Sequence, residues 1–206
     1  MSLNSPQRAA VEYCDGPLLV LAGAGSGKTR VIVEKIAHLI RHRNMSASKI
    51  AAITFTNKAA REMRERVSRR VKGSAADGLT VSTFHALGLR FLQIEHARAG
   101  LRRNFSVFDA DDSQSILKDL LPKGIKPDAL YALQSLVSRA KNEGLSPDEA
   151  LARAKSGREL EAAELYADYQ RRLAAFNAVD FDDLIRLPVA VLEADDRIDF
   201  ARQAGE

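Results

Sequence analysis

Apolar residues in the N-terminal part of the chain follow two alternating spacings. Unbroken apolar runs at 18–22 (Leu-Leu-Val-Leu-Ala), 50–55 (Ile-Ala-Ala-Ile-Thr-Phe) and 79–82 predict buried strands. Between them, apolar residues return every three or four positions. Val31, Ile32, Val33, Ile36, Ala37, Leu39 and Ile40 predict an amphipathic helix over 28–43. A strongly charged stretch predicts a second helix over 57–72, and 84–95 predicts a third. A further helix over 5–14 precedes the first strand, capped by Asn4 and set apart by Gly16-Pro17. Asn57 and Thr83 are the expected caps of the helices that follow them. Strands alternating with helices predict an α/β fold, a parallel sheet covered by helices with ligands at the carboxyl ends of the strands. Thr29, Thr56 and Thr83 all fall just past such ends.

After residue 90 the pattern becomes mostly helical. Helices are predicted over 111–121, 127–142, 146–154 and 158–176, punctuated by Pro122-Lys123-Gly124, Gly144 and Ser156-Gly157. Residues 104–108 form a short apolar segment, and 181–192 a helix interrupted or bent by Pro188. The expected organisation is a first α/β part over 1–89, a mostly helical insertion over 90–178, and a return toward the first part over 179–206. No internal repeat or low-complexity stretch is visible.

Composition narrows the classes. With 46% hydrophobic and 28% charged residues, the chain reads as an ordinary globular protein with a sizeable core. No apolar run is long enough to cross a bilayer and the N-terminus lacks a signal-peptide pattern, so a cytoplasmic location without membrane contact is expected. A single cysteine, Cys14, excludes an intrachain disulfide, and four scattered histidines offer no metal cluster. Net charge is asymmetric. Residues 1–84 hold 14 Lys and Arg against 6 Asp and Glu, whereas 85–206 hold 17 against 21. A basic N-terminal part suits phosphate-bearing ligands, although Arg61, Arg64, Arg66, Arg69 and Arg70 also fit a plain solvated helix face.

The segment Ala22-Gly23-Ala24-Gly25-Ser26-Gly27-Lys28-Thr29, between the first predicted strand and a helix, has the form of a phosphate-binding loop. Ala22 stands where the strict pattern has its first glycine. Gly23, Gly25 and Gly27 let backbone N–H groups turn toward phosphate oxygens. Lys28 would reach the terminal phosphates, the Thr29 hydroxyl would ligate magnesium, and the helix N-terminus would face the same anion. ATP with Mg²⁺ is the expected ligand, with Lys28 and Thr29 as the catalytic grip.

Five segments in order then resemble the superfamily 1 DNA helicases of the UvrD/Rep type, and the Rep branch most. They are residues 3–8, 22–30, 53–63, 81–85 and 179–184, the last reading Val-Asp-Phe-Asp-Asp-Leu. The resemblance accepts Ala22 and implies a RecA-like P-loop fold with a helical inserted subdomain. It implies that Gln7 reads the adenine edge, where spacing alone allows only a capping box with Asn4. Arg30 would stack on the adenine face. Thr54, Phe55, Thr56, Asn57, Thr83, Phe84 and His85 would line a single-stranded DNA track of phosphate contacts and stacked bases. Asp180, Asp182 and Asp183 resemble carboxylates of a magnesium or calcium site, yet their position matches the family segment where the insertion returns to the sheet.

The resemblance implies an N-terminal part of an ATP-dependent 3'-5' DNA helicase, acting on single strands and duplex junctions together with a second motor domain and with replication or repair proteins. Hydrolysis needs an acidic residue on magnesium, a water-positioning group and an arginine. The run Val191-Leu192-Glu193-Ala194-Asp195-Asp196 does not fit the expected acidic strand, so the chain is expected to bind ATP with little turnover. The alternative is a non-catalytic nucleotide- or DNA-binding module, and a remoter one is a nuclease-linked relative.

Overall fold

The computed structural model of the chain describes residues 3–194. It is a mixed α/β structure, mostly helical, with two small parallel ladders. The chain divides after Leu87 into two compact units, each built around its own apolar core.

In the first unit, Ser5–Glu12 forms α1. Its start is a reciprocal capping box, in which the Gln7 N–H donates to Asn4 Oδ1 (2.9 Å) and the Asn4 N–H to Gln7 Oε1 (3.1 Å). Lys28–His42 forms α2, Ala51–Thr54 β1, Asn57–Arg70 α3, and Thr80–Thr83 β2. The two strands run parallel, with Ala51 opposite Thr80 and Thr54 opposite Thr83. Val33, Ile36 and Ala37 of α2 meet Ala52, Val81 and the Ala60-Met63-Val67 stripe of α3 in one core. Each large apolar side chain buried there contributes about 1.5–3 kcal/mol. Two of the α3 arginines belong to this framework. Arg64 donates to the Val81 carbonyl (2.8 Å), and Arg70 Nε pairs with Glu34 (2.9 Å).

The strand predicted over 18–22 is not formed. Its residues carry no strand assignment, and no strand among the described residues pairs with them. A strand is a ladder property, so an apolar run alone does not make one. Leu19 and Leu21 stand 82% and 86% exposed. The α3 cap also differs from expectation. Thr56, not Asn57, accepts the Ala59 N–H (3.1 Å), because Asn57 is already helical. Thr83 does cap, accepting the Ala86 N–H (3.2 Å) at the start of α4 (Phe84–Glu95).

The second unit holds β3 (Ser106–Val107), α5 (Ala110–Leu120), α6 (Pro127–Asn142), α7 (Pro147–Arg153), α8 (Gly157–Phe176), β4 (Ala178–Val179) and α9 (Asp183–Ala194). β3 and β4 pair in parallel, Ser106 opposite Ala178. Leu117, Leu130, Leu133, Val137, Tyr166, Tyr169 and Leu173 are the heart of its core. Pro188 lies inside α9 without ending it. Lacking an N–H, it leaves the Leu184 carbonyl without its helical donor. Gly88 of α4 comes so close to that carbonyl that a Cβ would lie 1.8 Å from its oxygen. Asp195 and Asp196, of the expected acidic run, lie outside the described residues.

Candidate nucleotide and nucleic-acid site

The loop is assembled from its own backbone and three side chains. Gly25 (φ +74°) and Gly27 (φ +85°) occupy the left-handed region that glycine alone enters freely, whereas Ala22 and Gly23 do not. That explains Ala22. The position asks nothing of the backbone that a Cβ would forbid. Lys28 Nζ curls back to donate to the carbonyls of Ala22 (3.0 Å) and Gly23 (2.8 Å), and Ser26 Oγ donates to the Gly23 carbonyl (2.7 Å). Gly27, the N-cap of α2, offers no side-chain cap. The first N–H groups of this 15-residue helix are therefore left to whatever anion meets them. Ala22, Ala24, Lys28 and Thr29 are exposed and Arg30 is half-buried. Thr29 would offer Mg²⁺ a hard hydroxyl oxygen, and the loop N–H groups with the Lys28 ammonium would suit ATP phosphates, so the donor set fits both.

Gln7 reaches the same loop from α1. Its Nε2 donates to the Ser26 carbonyl at 3.0 Å while its Oε1 stays in the capping box. Lys35 of α2 fixes that approach by donating to the carbonyls of Ala10 (3.4 Å) and Tyr13 at the other end of α1. Gln7 thus both closes its own helix and touches the loop.

Register places the second group of residues together. Because Thr54 faces Thr83 across the parallel ladder, Thr54, Phe55, Thr56 and Asn57 share one sheet edge with Thr83, Phe84 and His85. Phe55 is 97% exposed and Phe84 60%. Two rings held in water forgo burial worth about 1.5–3 kcal/mol apiece, so neither is placed to serve the core.

The carboxylates of the return segment do something else. Lys141, whose side chain is fully buried, pairs with Asp180 (2.6 Å) and Asp183 (2.9 Å). The Tyr169 hydroxyl and the Asp183 N–H also donate to Asp180, both at 2.9 Å, and Arg186 pairs with Asp183 at 3.0 Å. Burial pushes the Asp180 carboxyl up, but Lys141 outweighs it and holds the group below its usual range. Burial likewise pushes the Tyr169 hydroxyl well up, so it donates at any working pH. Asp182 instead accepts from Asn142 Nδ2 (3.1 Å). No group of three or more metal-ligating side chains occurs among the described residues. Sequence reasoning missed Lys141. Its signal was present, because Leu130, Leu133, Val137 and Lys141 continue one apolar stripe of α6.

Comparison with known proteins decides the family. The model for the UvrD/REP helicase N-terminal domain matches residues 3–204. The chain belongs to the UvrD/REP helicase N-terminal domain family. This UvrD/REP domain is 49% identical over 200 residues to the ATP-dependent DNA helicase Rep of Salmonella typhimurium, covering 96% of the chain and 30% of that relative. It is 48% identical to the Escherichia coli Rep helicase over the same share. The PcrA helicase of Bacillus subtilis is 42% identical over 197 residues, covering 93% of the chain and 26% of the relative. The UvrD/REP domain therefore spans under a third of the length of these relatives. No described helix is long and apolar enough to cross a membrane.

Proposed function

We propose that this chain is the ATP-gripping, DNA-contacting N-terminal part of a cytoplasmic ATP-dependent 3'-5' DNA helicase. The observation that carries the reading is the loop, with Gly25 and Gly27 left-handed, Lys28 and Thr29 opening α2, and no side-chain cap over the helix N-terminus. Residues 1–89 belong to a RecA-like motor domain with helices on both faces of a parallel sheet. Residues 90–178 are its helical insertion, and 179–206 lead back to it.

Bound ATP and Mg²⁺ would supply the phosphoanhydride bond and the cation that neutralises its developing charge. The protein groups do the holding. Lys28 trades the Ala22 and Gly23 carbonyls for terminal phosphate oxygens, and the loop N–H groups with the first turn of α2 bind the remaining oxygens. Thr29 Oγ1 ligates the magnesium, while Gln7 and Arg30 meet the adenine. At the sheet edge, Phe55 and Phe84 stack on bases while Thr54, Thr56, Asn57, Thr83 and His85 bond phosphates. Such contacts follow a strand of any sequence, as a translocating motor requires.

Partners are single-stranded DNA, duplex junctions, a second motor domain, and replication or repair proteins. ATP titration of the chain by calorimetry tests the grip. The wild-type chain binds ATP with Mg²⁺ and Lys28→Ala loses that binding. Equal affinity in the two proteins refutes the cradle. ATPase assays with and without single-stranded DNA test the limit of the reading, which expects near-background turnover from this chain alone. Robust DNA-stimulated turnover refutes that limit.

A further inference from the structure

The hydrogen bond from Gln7 to the loop goes to a backbone carbonyl, and a carbonyl is half of a peptide plane. The Ser26 C=O and the Gly27 N–H belong to one planar trans unit and point in opposite directions. Gln7 Nε2 holds the Ser26 oxygen at 3.0 Å, on the side facing α1. The Gly27 N–H is thereby turned away from α1, at the N-cap of α2 where the anion is received. Gly27 needs this help. At φ +85° with no side chain, its plane is set by neither sterics nor a cap. A Cβ at Gly27 would lie 3.1 Å from Gln7 Nε2, so the amide occupies the space beside Gly27 that a side chain would need.

We infer that Gln7 is a positioning residue for the phosphate loop, fixing the Ser26–Gly27 peptide so that its N–H faces the phosphates, whichever base is bound. This rests on the phosphate-cradle reading and differs from base recognition. The amide keeps a second N–H hydrogen and a second Oε1 lone pair for adenine, so both duties fit one side chain. The capping box holds the amide in place, since Oε1 is fixed by the Asn4 N–H, and Lys35 holds the far end of α1.

The test uses the full chain and a ligand without a base. Inorganic tripolyphosphate with Mg²⁺ is titrated by calorimetry into wild type, Gln7→Met, Asn4→Ala and Lys28→Ala, with ATP titrated in parallel. Met keeps length and neutrality but lacks the donor. Asn4→Ala disrupts the cap yet leaves the Gln7 amide. Gln7→Met should weaken tripolyphosphate about five-fold, the worth of one neutral hydrogen bond, and Asn4→Ala much less. In the NMR spectrum of the free protein, the Ser26 carbonyl carbon should shift in Gln7→Met and stay put in Asn4→Ala.

A loss seen with ATP but not tripolyphosphate overturns the inference and leaves Gln7 a base reader. Equal losses in Gln7→Met and Asn4→Ala overturn it in favour of a purely structural role through α1. If Lys28→Ala abolishes tripolyphosphate binding while Gln7→Met leaves it intact, the positioning role fails and the cradle stands. If wild type takes up neither ligand, cradle and positioning role fall together. Should Gln7→Met unfold, the Ser26 carbonyl shift of wild type decides. It must lie at the value of a hydrogen-bonded carbonyl, and a free value overturns the inference.

Discussion

Replacing Lys141 by methionine removes one buried cation and leaves two buried carboxylates. Lys141 sits 2.6 Å from Asp180 and 2.9 Å from Asp183 with its side chain fully enclosed. Breaking a buried pair from one side costs about 3–5 kcal/mol, mostly from the stranded charge. Here neither carboxylate is wholly stranded. Asp183 keeps Arg186 at 3.0 Å, and Asp180 keeps the Tyr169 hydroxyl and the Asp183 N–H. The low end, about 3 kcal/mol, is therefore expected. With a urea slope of about 2 kcal/mol per molar, the midpoint falls by about 1.5 M.

The chain has no tryptophan, and three of its four tyrosines (Tyr131, Tyr166 and Tyr169) lie in the second unit, so tyrosine emission follows that unit's unfolding. Adding Asp180→Asn to Lys141→Met should recover about half of the loss, because the surplus negative charge is removed. Lowering pH toward about 5 should narrow the gap between wild type and Lys141→Met, because burial unopposed by Lys141 raises the Asp180 carboxyl and lets it neutralise. A loss below about 1 kcal/mol, or no recovery in the double variant, refutes the view that Lys141 balances these charges.

Phe55→Ala should weaken single-stranded DNA binding by about 1–3 kcal/mol, the worth of one stacked base, while shifting stability by less than about 0.5 kcal/mol. Fluorescence anisotropy with a labelled oligonucleotide, set beside a melting curve, checks both, and a stability loss with DNA affinity intact sinks the reading. Gly88→Ala gains about 1 kcal/mol of helix propensity but drives a methyl into the Leu184 backbone carbonyl, an overpacking cost of about 3 kcal/mol. Net destabilisation in urea is expected, and a neutral or stabilised variant refutes the close approach. Burial, then the neighbouring His42, lowers the His38 pKa from 6.5. The unfolded chain then takes up its proton first, so stability is present above about pH 6.5 and is lost as pH falls below it. Melting temperatures from about pH 7.5 to 5 should fall less in His38→Gln than in wild type, and parallel curves contradict the assignment.

Elements carried by local periodicity were legible. Residues 127–142 of α6, the capping box at Asn4 and the Thr83 cap follow from spacing and side-chain chemistry over a few positions. What depends on distant partners was not legible in the same way. Residues 18–22 have the composition of a strand but no described ladder, and Arg64 and Arg70, which looked like solvated charge, are ties to β2 and α2. The glycine pattern announced the loop, yet which glycines need a left-handed backbone appears only in three dimensions, as does Gln7 reaching Ser26. Asp180 and Asp183 show the same divide, since nothing within 179–184 reveals that their partner lies on α6.

The unpaired run leading into the loop has a colloidal consequence. Leu18, Leu19, Val20 and Leu21 are all exposed, and their backbone N–H and C=O groups form no ladder among the described residues. Such a segment is the raw material of intermolecular β pairing, which proteins usually restrain by setting charged gatekeepers beside it. No charged residue lies between Asp15 and Lys28. On the proposed phosphate-loop reading, residues 22–27 must stay small so that the anion can approach, and that requirement leaves the neighbouring strand-former unguarded. In concentrated solutions of this chain, self-association should begin at residues 18–21, beside the grip itself.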